Sequence, residues 1–162
     1  SSDFNKDALL RSAKRINVSY FKEQQEDAIN AIWQWWQSQS ISFTLSGYAG
    51  TGKTFIMRHL VRYLIVEKVC VTAPTHKALR VLENSSGKKG MTIQSLCGLR
   101  PDVDIEDYNI ENPSFKVIGE QKMRGYRLVI IDECSMINPG LFNLLIKTAI
   151  QCRCKLLFLG EM

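Results

Sequence analysis

The sequence has no apolar run near the roughly 18 residues that a membrane span requires. Its longest runs are strand-sized, such as Leu156-Leu157-Phe158-Leu159, so a transmembrane chain is excluded and no membrane partner is expected. No charged-then-apolar leader with a small-residue cleavage site opens the chain, which predicts no secretory signal. The first residue is Ser1 rather than Met, as after processing. No internal repeat is present. Paired cysteine spacing is missing as well. Cys70, Cys97, Cys134, Cys152 and Cys154 are odd in number and scattered, and Cys152-x-Cys154 has neither zinc-knuckle spacing nor a second pair. Core thiols in a reduced, cytoplasmic setting are the expectation.

What is there is ordinary in bulk. Hydrophobic residues make up 45% and charged residues 23%, which argues against disorder or a fibrous repeat. A length of 162 residues fits one domain with a small appendage. Lysine and arginine number 21 against 16 acidic residues, a formal charge of +5. That excess is compatible with a nucleic-acid partner without requiring one.

Residues 1–20 are polar and mixed in charge and read as a lead-in to a domain over 21–162. Ala28, Ile29, Ile32, Trp35 and Trp36 recur at helical spacing and predict a helix over 21–38. Its tryptophans, Trp33 included, are read as packing residues. Strands are predicted over 41–46, 69–73, 126–131 and 155–159, and helices over 53–66, 76–83, 92–99 and 139–150. Residues 85–90 read as a loop by composition. Residues 100–124 hold Pro101, Pro113, Gly119 and the acidic Asp102, Asp104, Glu106, Asp107 and Glu111. They read as a small insertion, with a hairpin as the expected form. Alternating strands and helices predict an α/β fold with a parallel sheet covered on both faces.

The strongest signal is Gly47-Tyr48-Ala49-Gly50-Thr51-Gly52-Lys53-Thr54, which meets every fixed position of the phosphate-loop (Walker A) pattern. A predicted strand precedes it and an amphipathic helix follows. Its glycines let backbone N–H groups turn around a polyphosphate, and the helix N-terminus favours the same anion. Lys53 supplies charge for the β- and γ-phosphates, and the Thr54 hydroxyl is a Mg2+ ligand. Asp132-Glu133 follows the apolar run Leu128-Val129-Ile130-Ile131, at the carboxyl end where parallel sheets bind ligands. Asp132 is the second candidate Mg2+ residue, and Glu133 the candidate that orients an attacking water. An adjacent glutamate favours an ATP hydrolase over a nucleotide kinase. The sequence-level class is therefore a P-loop NTPase with ATP and Mg2+ as cofactors and Lys53, Asp132 and Glu133 as catalytic candidates.

These motifs resemble domain 1A of the superfamily 1B DNA helicases, the RecD-like and Dda-like motors, over about residues 20–162. The phosphate loop is similar to theirs. Ala73-Pro74-Thr75-His76-Lys77-Ala78 looks like motif Ia, Thr92-Ile93-Gln94-Ser95-Leu96 like motif Ib, and Asp132-Glu133-Cys134-Ser135-Met136 like motif II. The Ser135-Met136 ending is more typical of group 1B than of its sister group. The resemblance implies a RecA-like sheet in which the 155–159 strand lies between the phosphate-loop strand and the Asp132 strand. The phosphate-loop strand is then a sheet edge. It further implies an adenine-reading Gln25 and an ATP site extending to Phe55. Single-stranded DNA is the implied partner, RNA being the alternative, with contacts at Pro74, Thr75, His76, Lys77, Thr92 and Gln94. Residues 100–124 fall where relatives carry domain 1B, and Tyr108 or Phe115 at its tip is a candidate base-stacking residue. Lys122, Arg124 and Arg127 form a basic cluster ahead of the acidic strand.

Two departures are visible. Motif III normally reads Gly-Asp with a glutamine a few residues later; here Gly160-Glu161 is followed by Met162. The second RecA-like domain, which brings the remaining ATP-site arginine in cis or trans, is not in the sequence. The implied activity is that of a 5'-to-3' helicase motor domain fragment, weak or inactive by itself. The alternatives are a superfamily 1 RNA helicase domain and a nucleotide-binding interaction module without turnover.

Overall fold

The computed structural model of the chain describes residues 22–45 and 68–160, together with Asp7. The phosphate motif over 47–54, Phe55, the expected helix over 53–66, Glu161 and the rest of the lead-in lie outside the described residues. So does the side chain of Gln25, although its backbone belongs to the first helix.

Four short strands form the sheet: β1 (Ser42–Leu45), β2 (Val69–Thr72), β3 (Leu128–Ile131) and β4 (Lys155–Leu159). All are parallel, in the order β1-β4-β3-β2, with Leu45 opposite Leu159 and Thr72 opposite Ile131. This is the strand order the resemblance implies, and β1 is an edge among the described strands. β2 and β3 are buried along their whole length because helices cover both faces.

Alternation splits each strand between two cores. Leu128, Ile130, Leu157 and Leu159 face α1 (Lys22–Gln37), whose Ala28, Ile29, Ile32, Trp35 and Trp36 form the buried stripe. Val129, Ile131, Leu156 and Phe158 face the opposite way, onto α3 (Ile93–Cys97) and α4 (Pro139–Cys152). Trp35 and Trp36 are buried packing residues, as expected. The last turn of α1 and the chain just beyond it share one cation. Lys155 Nζ donates to the carbonyls of Trp35, Ser38 and Ser40 at 2.9, 2.8 and 3.0 Å, placing a cation where the helix dipole favours one.

α2 (His76–Ser86) runs three residues past the expected end. Ser85 is helical, not loop: its hydroxyl donates to the Val81 carbonyl at 2.9 Å. The helix then ends at Gly87, whose N–H reaches the Glu83 carbonyl.

Residues 100–124 do not form a hairpin. They hold three 3-10 turns, Ile105–Asp107, Pro113–Phe115 and Lys122–Gly125. Asp104 and Asn112 accept from the backbone N–H two residues on, a local turn that competes with strand pairing. Tyr108 and Phe115 are not tip residues either. They pack edge to face, centroids 5.2 Å apart, and are buried with Ile105 and Met123 against the α3–α4 core. Stacking on a base is therefore closed to both.

All five cysteines are buried free thiols. Burial pushes Cys70 up to about 11 and Cys97 and Cys154 up to about 12, so they are protonated and inert at neutral pH. No helix among the described residues is long and apolar enough to cross a membrane.

Candidate nucleotide edge and nucleic-acid cavity

The carboxyl edge of the sheet gathers the chemistry. β3 delivers Asp132, whose N–H donates to the Thr72 carbonyl at the end of β2, 3.0 Å. Asp132 Oδ1 accepts the Glu133 N–H at 2.8 Å. Glu133 is left-handed (φ 54°, ψ 45°) and opens the 3-10 turn Cys134–Met136. A non-glycine residue there is strained by about 1–2 kcal/mol, a cost that recurs at functional sites. Both acidic residues are half-buried.

Gly160, at the end of β4, closes on the same turn. Its φ is +132°, and a Cβ there would lie 3.0 Å from the Cys134 backbone N and 3.3 Å from Sγ. Its N–H points to the Leu45 carbonyl at 3.4 Å, the last described residue before the phosphate motif. The ends of β1, β3 and β4 therefore converge on the Asp132-Glu133 turn. Gly160 is the described part of the motif III candidate; Glu161 and Lys53 lie outside the described residues.

Beside this edge, a cavity of about 260 Å³ opens at the end of β2. Pro74, Thr75, His76, Thr92 and Gln94 line it, so one surface unites five of the six nucleic-acid candidates. Lys77 is exposed on α2 but is not a lining residue. Two hydroxyls are helix caps. Thr75 Oγ1 accepts from the Ala78 N–H, and Thr92 Oγ1 from the Ser95 N–H, both at 3.2 Å. Each hydroxyl keeps its own proton for an outside acceptor. Gln94 Nε2 donates to the Val103 carbonyl at 2.9 Å, so it holds a wall as well as lining it.

That wall, Pro101 to Ile105, includes Asp102 and Asp104. The composition of 100–124 points to acidity; nothing in it places these residues in the same cavity as Thr75. The expected basic cluster is divided. Arg127 lies over the Trp36 ring at 6.0 Å, whereas Arg124 Nη1 reaches the Gln151 carbonyl at 3.5 Å.

Carboxylates at the carboxyl edge of a parallel α/β sheet stand where such sheets bind ligands, and the strand order matches that of a RecA-like domain. The family model of AAA domains matches residues 20–162, and the chain belongs to that family. Over 142 residues it is 32% identical to the ATP-dependent DNA helicase Dda of Enterobacteria phage T4, covering 86% of this chain and 31% of the relative. Over 100 residues it is 27% identical to the ATP-dependent DNA helicase Pif1 of Psychrobacter sp. (strain PRwf-1), covering 62% and 15%. A crystal structure of a Pif1 helicase from Bacteroides superposes with a TM-score of 0.59 at 21% identity, over 86% of this chain and 31% of that one. That likeness supports the fold. Together these matches bear out the superfamily 1B resemblance. The chain spans less than a third of the length of these curated relatives.

Proposed function

We propose that this chain is the first RecA-like motor domain of a 5'-to-3' DNA helicase, binding and hydrolysing ATP to move along single-stranded DNA. The observation that carries the reading is the Asp132-Glu133 pair on the carboxyl edge of the sheet, at the sheet end where β1 leads into the Gly47–Thr54 motif. Lys53 and the 47–55 backbone hold the phosphates, and Gln25 reads the adenine.

The donor set suits Mg2+. Asp132 is a half-buried hard oxygen ligand, and Thr54 supplies a hydroxyl. Among the described residues no three His, Cys, Asp or Glu side chains gather into a metal cage. Mg2+ commonly takes one or two protein oxygens and fills its shell with phosphates and water. When bound, it neutralises charge on the transferring phosphoryl group. Glu133 holds the attacking water by accepting its proton.

Thr75, His76, Lys77, Thr92 and Gln94 meet the phosphodiester chain, and residues 100–124 stand in place of domain 1B. A second RecA-like domain, in cis or trans, completes the ATP site. The location is cytoplasmic, in the sense of a replication site inside the cell.

The test is ATP hydrolysis by the chain with single-stranded DNA, with RNA and with neither, beside Lys53→Ala. Turnover stimulated by DNA and lost in the variant supports the reading. RNA-selective stimulation favours an RNA helicase. Mg-ATP binding without turnover, from a folded chain, favours a nucleotide-binding module. Wild-type nucleotide affinity in a folded Lys53→Ala variant overturns the phosphate-loop assignment.

A further inference from the structure

Asn138 follows the motif II turn by two residues and makes two hydrogen bonds in opposite directions. Its Oδ1 accepts the Leu141 N–H at 2.8 Å and caps α4. Its Nδ2 donates to the Tyr108 carbonyl at 3.2 Å, thirty residues away in the chain. Both partners are backbone atoms of fixed polarity, so the orientation of the amide is settled.

Tyr108 is tied to the cavity wall. Its N–H bonds the Ile105 carbonyl at 3.2 Å, and Ile105, Asp104 and Val103 line the cavity. The Val103 carbonyl is in turn held by Gln94 of α3. The Tyr108 ring also lies against Gly140, where a Cβ would sit 3.4 Å from two ring carbons. A continuous path thus runs from the Asp132-Glu133 turn through Asn138 and Tyr108 to the cavity that Thr75 and Thr92 also line.

We propose that Asn138 is a positioning residue that couples the nucleotide edge to the nucleic-acid cavity. The proposal rests on the functional reading above and adds to it a specific side chain. A shift of the motif II turn moves Asn138, and Asn138 carries the Ile105–Tyr108 turn with it. Physical continuity alone does not establish coupling; a measured linkage between the two ligands does.

The experiment separates the two bonds. Asn138→Asp and Asn138→Ser both keep an N-cap acceptor but lose the donor to Tyr108. A fluorescent oligothymidylate is titrated into the 162-residue chain, with and without Mg-ADP-aluminium fluoride, and the ratio of the two Kd values is the coupling factor. Wild type is expected to show a factor in the usual range of about 5- to 150-fold. Both variants are expected to melt near wild type, to bind each ligand alone, and to bring the factor to about one. A factor that survives in either folded variant overturns the inference and leaves the function standing. So does a wild type that binds both ligands with no linkage. Failure of wild type to bind nucleotide or oligonucleotide at all overturns the functional reading itself.

Discussion

Replacing Gly160 by alanine tests how the three strand ends meet. The residue has φ +132°, a region that side chains rarely adopt. Holding alanine there costs about 1–3 kcal/mol in backbone strain. The added methyl would also lie 3.0 Å from a backbone nitrogen and 3.3 Å from a buried sulfur, both of Cys134. Overpacking of this kind costs a further 1–3 kcal/mol or so. The sum is about 2–6 kcal/mol, against the roughly 5–15 kcal/mol that holds a domain together. Gly160→Ala should therefore fold, with a urea midpoint clearly lowered and an unchanged slope.

The strain falls on the turn that carries Glu133, the proposed water-orienting residue, and small misplacements of catalytic groups are expensive. ATP turnover should fall by about tenfold or more, while nucleotide affinity changes little. Cys134→Ala provides the control. It removes the Sγ contact but leaves the backbone contact and the φ strain, so the double variant should regain less than half of the lost stability. A loss in Gly160→Ala below about 0.5 kcal/mol, the range of an ordinary surface substitution, would refute the reasoning. Full rescue by Cys134→Ala would refute the backbone part of it.

Glu133→Gln keeps a side chain that tolerates the left-handed turn as well as glutamate does. It should retain nucleotide binding and lose hydrolysis, and unchanged turnover would contradict its role in orienting water. The buried thiols predict alkaline weakening. Their ordinary value is 9.0, and Cys70, Cys97 and Cys154 stand at about 11, 12 and 12 when folded. Below pH 9 both states hold the protons; above it the unfolded chain releases them first, so stability falls from about pH 9 towards pH 12. Urea midpoints that stay level between about pH 8 and pH 10.5 would contradict this. Lys155→Met removes three charge-assisted bonds to the end of α1. The loss should be about 2 kcal/mol, modest because the Ser38 and Ser40 carbonyls can turn to water, and a thermal melt reads it as roughly 4–8 °C.

β3 and β4 were legible because they are almost wholly apolar without alternation, as a sheet covered on both faces needs, whereas β1 (Ser42–Leu45) was legible by its β-branched and aromatic residues. The place of Asp132-Glu133 at the carboxyl edge was legible because an apolar buried strand runs directly into it. Local turns were less so. Ser85 and Ser86 look like loop by composition, yet a hydroxyl can bond the carbonyl four residues back and extend a helix. Tyr108 and Phe115 looked like exposed tip residues amid acidic neighbours. Their burial depends on Gly140 and α4, about thirty residues downstream, and no local pattern carries that information. The same holds for the left-handed Glu133 and the contact between Gly160 and Cys134. Both arise where the ends of separate strands meet.

Charge illustrates the limit of composition further. The chain carries +5 overall, but the cavity lined by Thr75, His76, Thr92 and Gln94 is also lined by Asp102 and Asp104. Asp102 is already paired with Arg100 at 3.2 Å, an exposed pair worth little by itself. A phosphate chain entering here would meet Thr75, Thr92 and an exposed histidine in a lining that also holds Asp102 and Asp104. The exposed cations Lys77 and Arg80 stand outside the cavity lining, on α2. The salt-sensitive part of binding should therefore lie with those two residues, since charged contacts release counterions. On the proposed reading, the hydroxyls inside position the strand, and the two carboxylates repel its phosphates. Net charge favours an encounter with nucleic acid; the hydroxyls and carboxylates that share this cavity are what the proposed strand would meet there.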